Sequence, residues 1–145
     1  MLYRVRHGIN RVRLRQQLEA ILETPPLETA PAPLRIVSMV CSRDVIPYLV
    51  AIKSFYRQLG RGEVVIVNDG TLTERDQSVL NEHIPGIRIR PISDGVVEGL
   101  PTGGTWERLC VLADEAKSNY AIQLDADIVC TGPLDDVQSL IDQNR

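Results

Sequence analysis

LRIVSMVCSRDVIPYLVAIKSFYRQLGRGEVVIVND, residues 34–69, passes from a β-branched apolar run to a helical period and back to a second apolar run. The first run, LRIVSMVC (34–41), is short and rich in β-branched residues, which fits a strand. A helix is predicted from about Arg43 to Leu59, with Ser42 as its N-cap and Pro47 within its first turns, where proline is tolerated. EVVIVND (63–69) lacks alternation and reads as a strand buried on both faces, the kind found in parallel sheets. The same pattern continues outward. TLTERDQSVLNEHI offers two overlapping capping boxes, Thr71 with Glu74 and Thr73 with Asp76, so a helix should begin there and stop before Pro85 and Gly86. IRIRP (87–91) is a third strand, and the loop SDGVVEGLPTGG leads to a helix from about Thr105 to Ser118. On that helix Trp106, Leu109, Cys110, Ala113 and Ala116 share one apolar face. YAIQLDADIV (120–129) is a fourth strand. Strands alternating with helices predict an α/β fold, a mostly parallel sheet with helices on both faces joined by right-handed crossovers.

Residues 1–33 differ from the rest. They carry Arg4, Arg6, Arg11, Arg13 and Arg15 against Glu19, Glu23 and Glu28, a net +2, whereas the remainder of the chain is at −5. Val5, Ile9, Val12, Leu14, Leu18 and Ile21 recur at spacings of three and four, predicting an N-terminal amphipathic helix from about Tyr3 to Glu23. Such a helix could lie peripherally on an anionic membrane; packing on its own domain or on a partner chain is the plainer reading, because Glu19 and Glu23 dilute its charge. TPPLETAPAP follows, and its four prolines favour an extended linker. A domain boundary is therefore placed after residue 33, with residues 1–33 as helix plus linker and 34–145 as the α/β domain. The leading helix should then be separable from the fold.

Composition removes several classes. With 43% hydrophobic and 24% charged residues over 145 positions, the chain can build one soluble core and is not disordered. No apolar run approaches the ~18 residues needed to cross a bilayer, and the start has no apolar stretch of the kind a secretory signal requires, so the expected location is cytoplasmic. A domain at −5 lacks the positive surface that nucleic acid demands. The three cysteines, Cys41, Cys110 and Cys130, are odd in number and far apart, so they are expected as buried small hydrophobes and not as a disulfide framework or zinc knuckle.

In parallel α/β sheets ligands collect beyond the carboxyl ends of the strands, which singles out Cys41–Asp44, Asn68–Thr71 and Asp125–Asp127. The last group is the most specific. Asp125 and Asp127 sit a residue apart at the end of an apolar strand, where they would repel unless a cation lay between them, and oxygen ligands suit Mg²⁺ or Mn²⁺. The bland alternative is two solvated acids opening a turn. For Asp69 the choice is a carboxylate that accepts an imide N–H or an Asn-Asp-Gly turn without a ligand.

The stretch TWERLCVLADEAKSNYAIQLDADIVCTGPLDDV resembles glycosyltransferase family 8, within the nucleotide-diphospho-sugar transferases of the GT-A fold. The match rests on Trp106, Arg108, Leu109, Leu124, Asp125, Asp127, Gly132 and Leu134. The resemblance implies that Asp125 and Asp127 bind a metal bridging the donor's diphosphate, that Asp125 also lies near the ribose, and that Arg108 reaches the donor's sugar or phosphates. VCSRDVIPYLVAIKSF is similar to the GT-A start and would put the base on Cys41 and Ser42. EVVIVNDGT looks more like family 2, which would give Asp69 to uracil. Family 8's usual acid pair after the first strand is absent, Arg43 and Asp44 standing in its place. The resemblance covers roughly residues 34–134 and implies transfer of a sugar from a nucleotide donor, most simply a UDP-sugar, to an acceptor hydroxyl.

Only 18 residues follow Asp127, so the sequence reads as a donor-binding half, truncated or a fragment. His7 and His83 are not convincing further ligands. Two other classes stay open: a haloacid-dehalogenase-like phosphatase, which also spaces two aspartates by one residue after a strand, and a non-catalytic nucleotide-sugar-binding module. A nucleotidyltransferase is disfavoured because VCSRDV has no glycine for a phosphate loop.

Overall fold

The computed structural model describes residues 17–103 and 105–144. The predicted leading helix lies mostly outside them, as do its five arginines; within them, residues 17–19 are helical and pass into a 3-10 turn, Ala20–Glu23. No helix among the described residues is long and apolar enough to cross a membrane.

Four strands form one all-parallel sheet: β1 (Leu34–Val40), β2 (Glu63–Asn68), β3 (Arg88–Pro91) and β4 (Tyr120–Gln123), in the order β3-β2-β1-β4. The α-helices between and after them are α1 (Val45–Leu59), α2 (Glu74–His83), α3 (Thr105–Glu115) and α4 (Asp135–Asp142). The α/β class and the parallel sheet follow the sequence reading.

The period of two along each strand divides the core. Leu34, Ile36, Val40, Val64 and Ile66 face one side, where Tyr48, Leu49, Ile52 and Phe55 of α1 and Leu80 of α2 cover them, with Leu134 and Ile141 at the flank. Val37, Val65 and Val67 face the other side and meet Val111 of α3. β1 and β2 are therefore covered on both faces, the physical reason their sequences are nearly continuous apolar runs. α1 ends at Gly60, whose φ of 73° is left-handed and lets its N–H return to the Tyr56 carbonyl.

Four expectations are corrected. α3 does not bury the face of Trp106, Leu109, Ala113 and Ala116, all of which are exposed, and Cys110 is half-buried; it buries Glu107, Val111 and Glu115 instead. The cause is electrostatic. The Glu115 carboxylate, only 6% exposed, meets Arg88 at 2.5 Å, Arg90 at 2.8 Å and Arg35 at 3.5 Å, while Glu107 accepts the Gly103 N–H at 2.9 Å. Buried acids so paired outweigh an aliphatic stripe in setting the helix's rotation. Ser42 is not a cap: residues 42–44 form a 3-10 turn and α1 starts only at Val45. β4 stops at Gln123, extended by one Leu124 N–H to Val37 carbonyl bond, so Asp125–Asp127 lie in a turn and not in the strand. All three cysteines are free and partly buried, not fully so.

The proline-rich segment is extended, as expected, but lies against the domain. Ile21, Leu27 and Ala32 pack on the core. The Tyr56 hydroxyl accepts from the Ala30 N–H at 2.9 Å and donates to the Gly62 carbonyl at 3.0 Å, and the Gly62 N–H donates to the Ala30 carbonyl at 2.9 Å.

Glu115 yields a test. Burial alone would raise its pKa, but bonds from Arg88 and Arg90 hold it below the ordinary 4.5. A depressed carboxyl contributes stability that is complete above that value and lost as pH falls through the folded-state pKa. Glu115→Gln should therefore destabilise the protein by about 3 kcal/mol at pH 7 in urea unfolding, because three guanidiniums lose their counter-charge. The gap from wild type should shrink below about pH 4.

Candidate functional site

The strand order fixes where a ligand can enter. From β1 the chain builds outward through β2 to β3, then returns to place β4 on the other side of β1. The loops leaving β1 and β4 diverge at that reversal, opening a crevice at the carboxyl edge.

Two polar clusters stand on this edge. In the first, the Ser42 N–H donates to Thr71 Oγ1 at 2.9 Å, and the Thr71 N–H and hydroxyl donate to Asp69 Oδ1 at 2.9 and 2.7 Å. The Ser42 hydroxyl crosses to Asp76 Oδ2 at 2.7 Å, the oxygen that also closes the Thr73–Asp76 capping box. Burial opposes ionisation of Asp76, but these bonds from Ser42 and Thr73 hold its carboxyl below the usual range. The loops after β1 and β2 are thus tied into one unit, and Asp69 is oriented through a single oxygen. Cys41 donates its thiol to Asp44 Oδ2 at 2.9 Å. Burial and then Asp44 push that thiol's pKa up, which leaves it a poor nucleophile.

The second cluster follows β4. Asp125 Oδ1 accepts from an Arg108 guanidinium N–H at 3.1 Å and from Gln123 Nε2 at 3.2 Å. Arg108 rises from α3, and its Nε is buried without a hydrogen-bond partner. Asp127 is exposed in the same turn and forms no ion pair among the described residues. The structure therefore joins Arg108 to Asp125 and Ser42 to Asp69 through Thr71. No hydrogen bond or ion pair among the described residues links the two clusters.

The donor set bears on a metal directly. Among the described residues no group of three or more His, Cys, Asp or Glu side chains converges, so a closed protein cage is not built. Two carboxylates in one turn do suit Mg²⁺ or Mn²⁺ of the kind that keeps several waters and takes its other ligands from phosphate. Arg108 competes for one oxygen of Asp125, which leaves Asp127 the freer ligand.

Sequence reasoning missed Gln123 and Gly95, and it placed Thr71 at a strand end and in a capping box without its tie to Ser42. The partners of Thr71 and Gln123 become visible only in three dimensions. Gly95 ends a 3-10 turn, Ile92–Gly95, and a Cβ there would stand 2.2 Å from the Glu107 carbonyl oxygen. Its position directly before a Val-Val pair in a Gly-rich loop gave no sign of that closeness. A groove of about 460 Å³ lies at the opposite, amino-terminal edge, bordered by Pro33, Arg61, Lys117, Asn119 and Tyr120. It carries none of the predicted site residues. Compared with known proteins, the chain matches no family model, no curated protein and no solved structure.

Gly95 sets the approach of α3 and so the reach of Arg108. Gly95→Ala must push backbone against backbone, and overpacking of that kind should cost about 3 kcal/mol in urea denaturation. A variant as stable as wild type would show that the first turn of α3 yields without strain.

Proposed function

We propose that the carboxyl edge of this sheet binds a nucleoside-diphosphate sugar, most simply a UDP-sugar, and that the chain is the donor-binding part of a glycosyltransferase acting on an acceptor hydroxyl. One observation carries the reading: Asp125 and Asp127 occupy the turn directly after β4, beside β1, at the point where the strand order reverses.

Asp125 and Asp127 would hold Mn²⁺ or Mg²⁺; when bound, such an ion neutralises charge on a diphosphate and so eases departure of the nucleoside diphosphate. The protein's own groups prepare that site. Gln123 and Arg108 fix one oxygen of Asp125, so its carboxylate is oriented before any ligand arrives. Arg108 is 24% exposed and has a guanidinium edge not spent on Asp125, suited to a phosphate oxygen or a sugar hydroxyl. Across the edge, Asp69 is held by Thr71 with its remaining acceptor capacity available to an imide N–H, and Ser42 is fixed by Thr71 and Asp76 beside it. Cys41, engaged with Asp44, contributes shape and not chemistry.

Asp127→Asn separates a ligand-binding acid from a structural one. Two acids in one turn repel without metal, so thermal stability of the metal-free variant should hold or rise slightly. Calorimetry should show Mn²⁺-dependent UDP affinity weakened by at least about tenfold, because a charged oxygen ligand is gone. A destabilised variant with unchanged affinity, or no binding heat from folded wild type at millimolar UDP, would defeat the reading.

A further inference from the structure

On the face of the sheet away from α3, His83 ends α2 with its side chain almost wholly enclosed, 4% exposed. Its Nδ1 lies 2.9 Å from the Lys53 ammonium of α1. Lys53 has no acceptor capacity, so Nδ1 must accept, which fixes His83 as the neutral tautomer with its proton on Nε2. The same ammonium donates to Thr24 Oγ1 at 2.7 Å and to the Pro25 carbonyl at 2.8 Å. The His83 carbonyl in turn accepts from the Leu27 N–H at 2.9 Å, and Thr29 reaches the Pro85 carbonyl at 3.3 Å. One lysine and one histidine thus hold three residues of the segment that precedes the fold, Thr24, Pro25 and Leu27.

We propose that Lys53 and His83 form a pH-sensitive clasp, which holds residues 24–29 on the domain at neutral pH and releases them as the medium turns acidic. Protonation of Nδ1 removes the acceptor and leaves two cations about 3 Å apart in a site shielded from water. Lys53 then loses its anchor, and with it the donors that Thr24 and Pro25 require. The charged groups acting on His83 are Lys53, from α1, and Glu82, from its own helix; the docked segment contributes carbonyl oxygens and the Thr24 hydroxyl, while Glu23 and Glu28 are exposed. Burial and then Lys53 lower the His83 pKa from 6.5, and Glu82 opposes them without prevailing. The sign follows. The closed clasp binds fewer protons than the open one, so its strength is complete above the ordinary histidine value and lost as pH falls through the closed-state pKa. Release has a natural limit at Ala30, whose bonds to Tyr56 and Gly62 involve neither Lys53 nor His83.

The test uses the full chain. Hydrogen exchange at the Leu27 amide, corrected for intrinsic rate, reads the clasp directly, with amides of β2 as the internal reference. Between pH 7.5 and 5.0 the Leu27 protection factor should fall by about tenfold while β2 stays level. His83→Asn keeps an acceptor near the Nδ1 position but cannot titrate, and its Leu27 protection should be flat across that range. Lys53→Met should leave Leu27 unprotected at both pH values. Proton NMR of the wild-type His83 ring, assigned by its absence in His83→Asn, should give a pKa below 6.5. A ring pKa at or above 6.5, pH-independent protection in wild type, or a pH response retained in His83→Asn would each overturn the proposal. The ring titration decides even if a variant fails to fold.

Discussion

The charge held by Glu115 is the constraint on which one face of this molecule depends. A carboxylate 6% exposed is costly to bury alone, and it is tolerated here because Arg35 of β1 and Arg88 and Arg90 of β3 converge on it. Those contacts join α3 to two strands that are not neighbours, across the valines of β1 and β2. Arg90 is further held by Asp94 and Asp114, so the pairs form a network, which constrains geometry more than isolated surface bridges do. Once Glu115 is pinned, the rotation of α3 is settled along its length. Glu107 and Val111, four residues apart, must face the sheet as well, and Arg108 is delivered to Asp125.

That chain of consequences explains which parts of the sequence were legible. Element type and order were readable because the apolar runs of β1 and β2 and the helical period of α1 express burial on a single scale, that of hydrophobic area. The capping box at Thr73 was readable because its two members lie three residues apart. The rotation of α3 was not, since the rule that acids face water fails when three arginines, 25 to 80 residues upstream, supply the missing solvation. Ser42 failed for a related reason. A serine ahead of a helical period looks like a cap, and its actual acceptor, Asp76, lies 34 residues away. The candidate site was legible as residue types and as strand ends, whereas the grouping into two clusters depended on Thr71 and Gln123, which carry no distinctive signal.

The opposite face shows the same logic with a weaker charge. Lys53 lies against the extended segment and pairs with no acid among the described residues, and burial lowers its pKa. Its ammonium is satisfied by neutral oxygens and one imidazole nitrogen, a set of acceptors that depends on His83 staying uncharged. A lysine paired with a carboxylate would have tolerated wide changes in pH. This arrangement couples attachment of the segment to the protonation of one ring. The prolines of residues 25–33 contribute by restricting the detached state, so that docking costs less chain entropy than a flexible linker would lose.

At the carboxyl edge the two acids of the turn after β4 are unequal, and that inequality is what the geometry offers to chemistry. Asp125 is oriented by Arg108 and Gln123 and is partly neutralised before any ligand binds. Asp127 is exposed and forms no ion pair among the described residues. An arriving cation would find one pre-positioned oxygen and one strongly attractive one, and a diphosphate would find the guanidinium of Arg108 already drawn to the same turn. The position of that guanidinium is set from the far end of α3 by Glu115, two turns of helix away. The buried charge that orders the fold and the guanidinium that meets Asp125 are therefore mounted on the same helix.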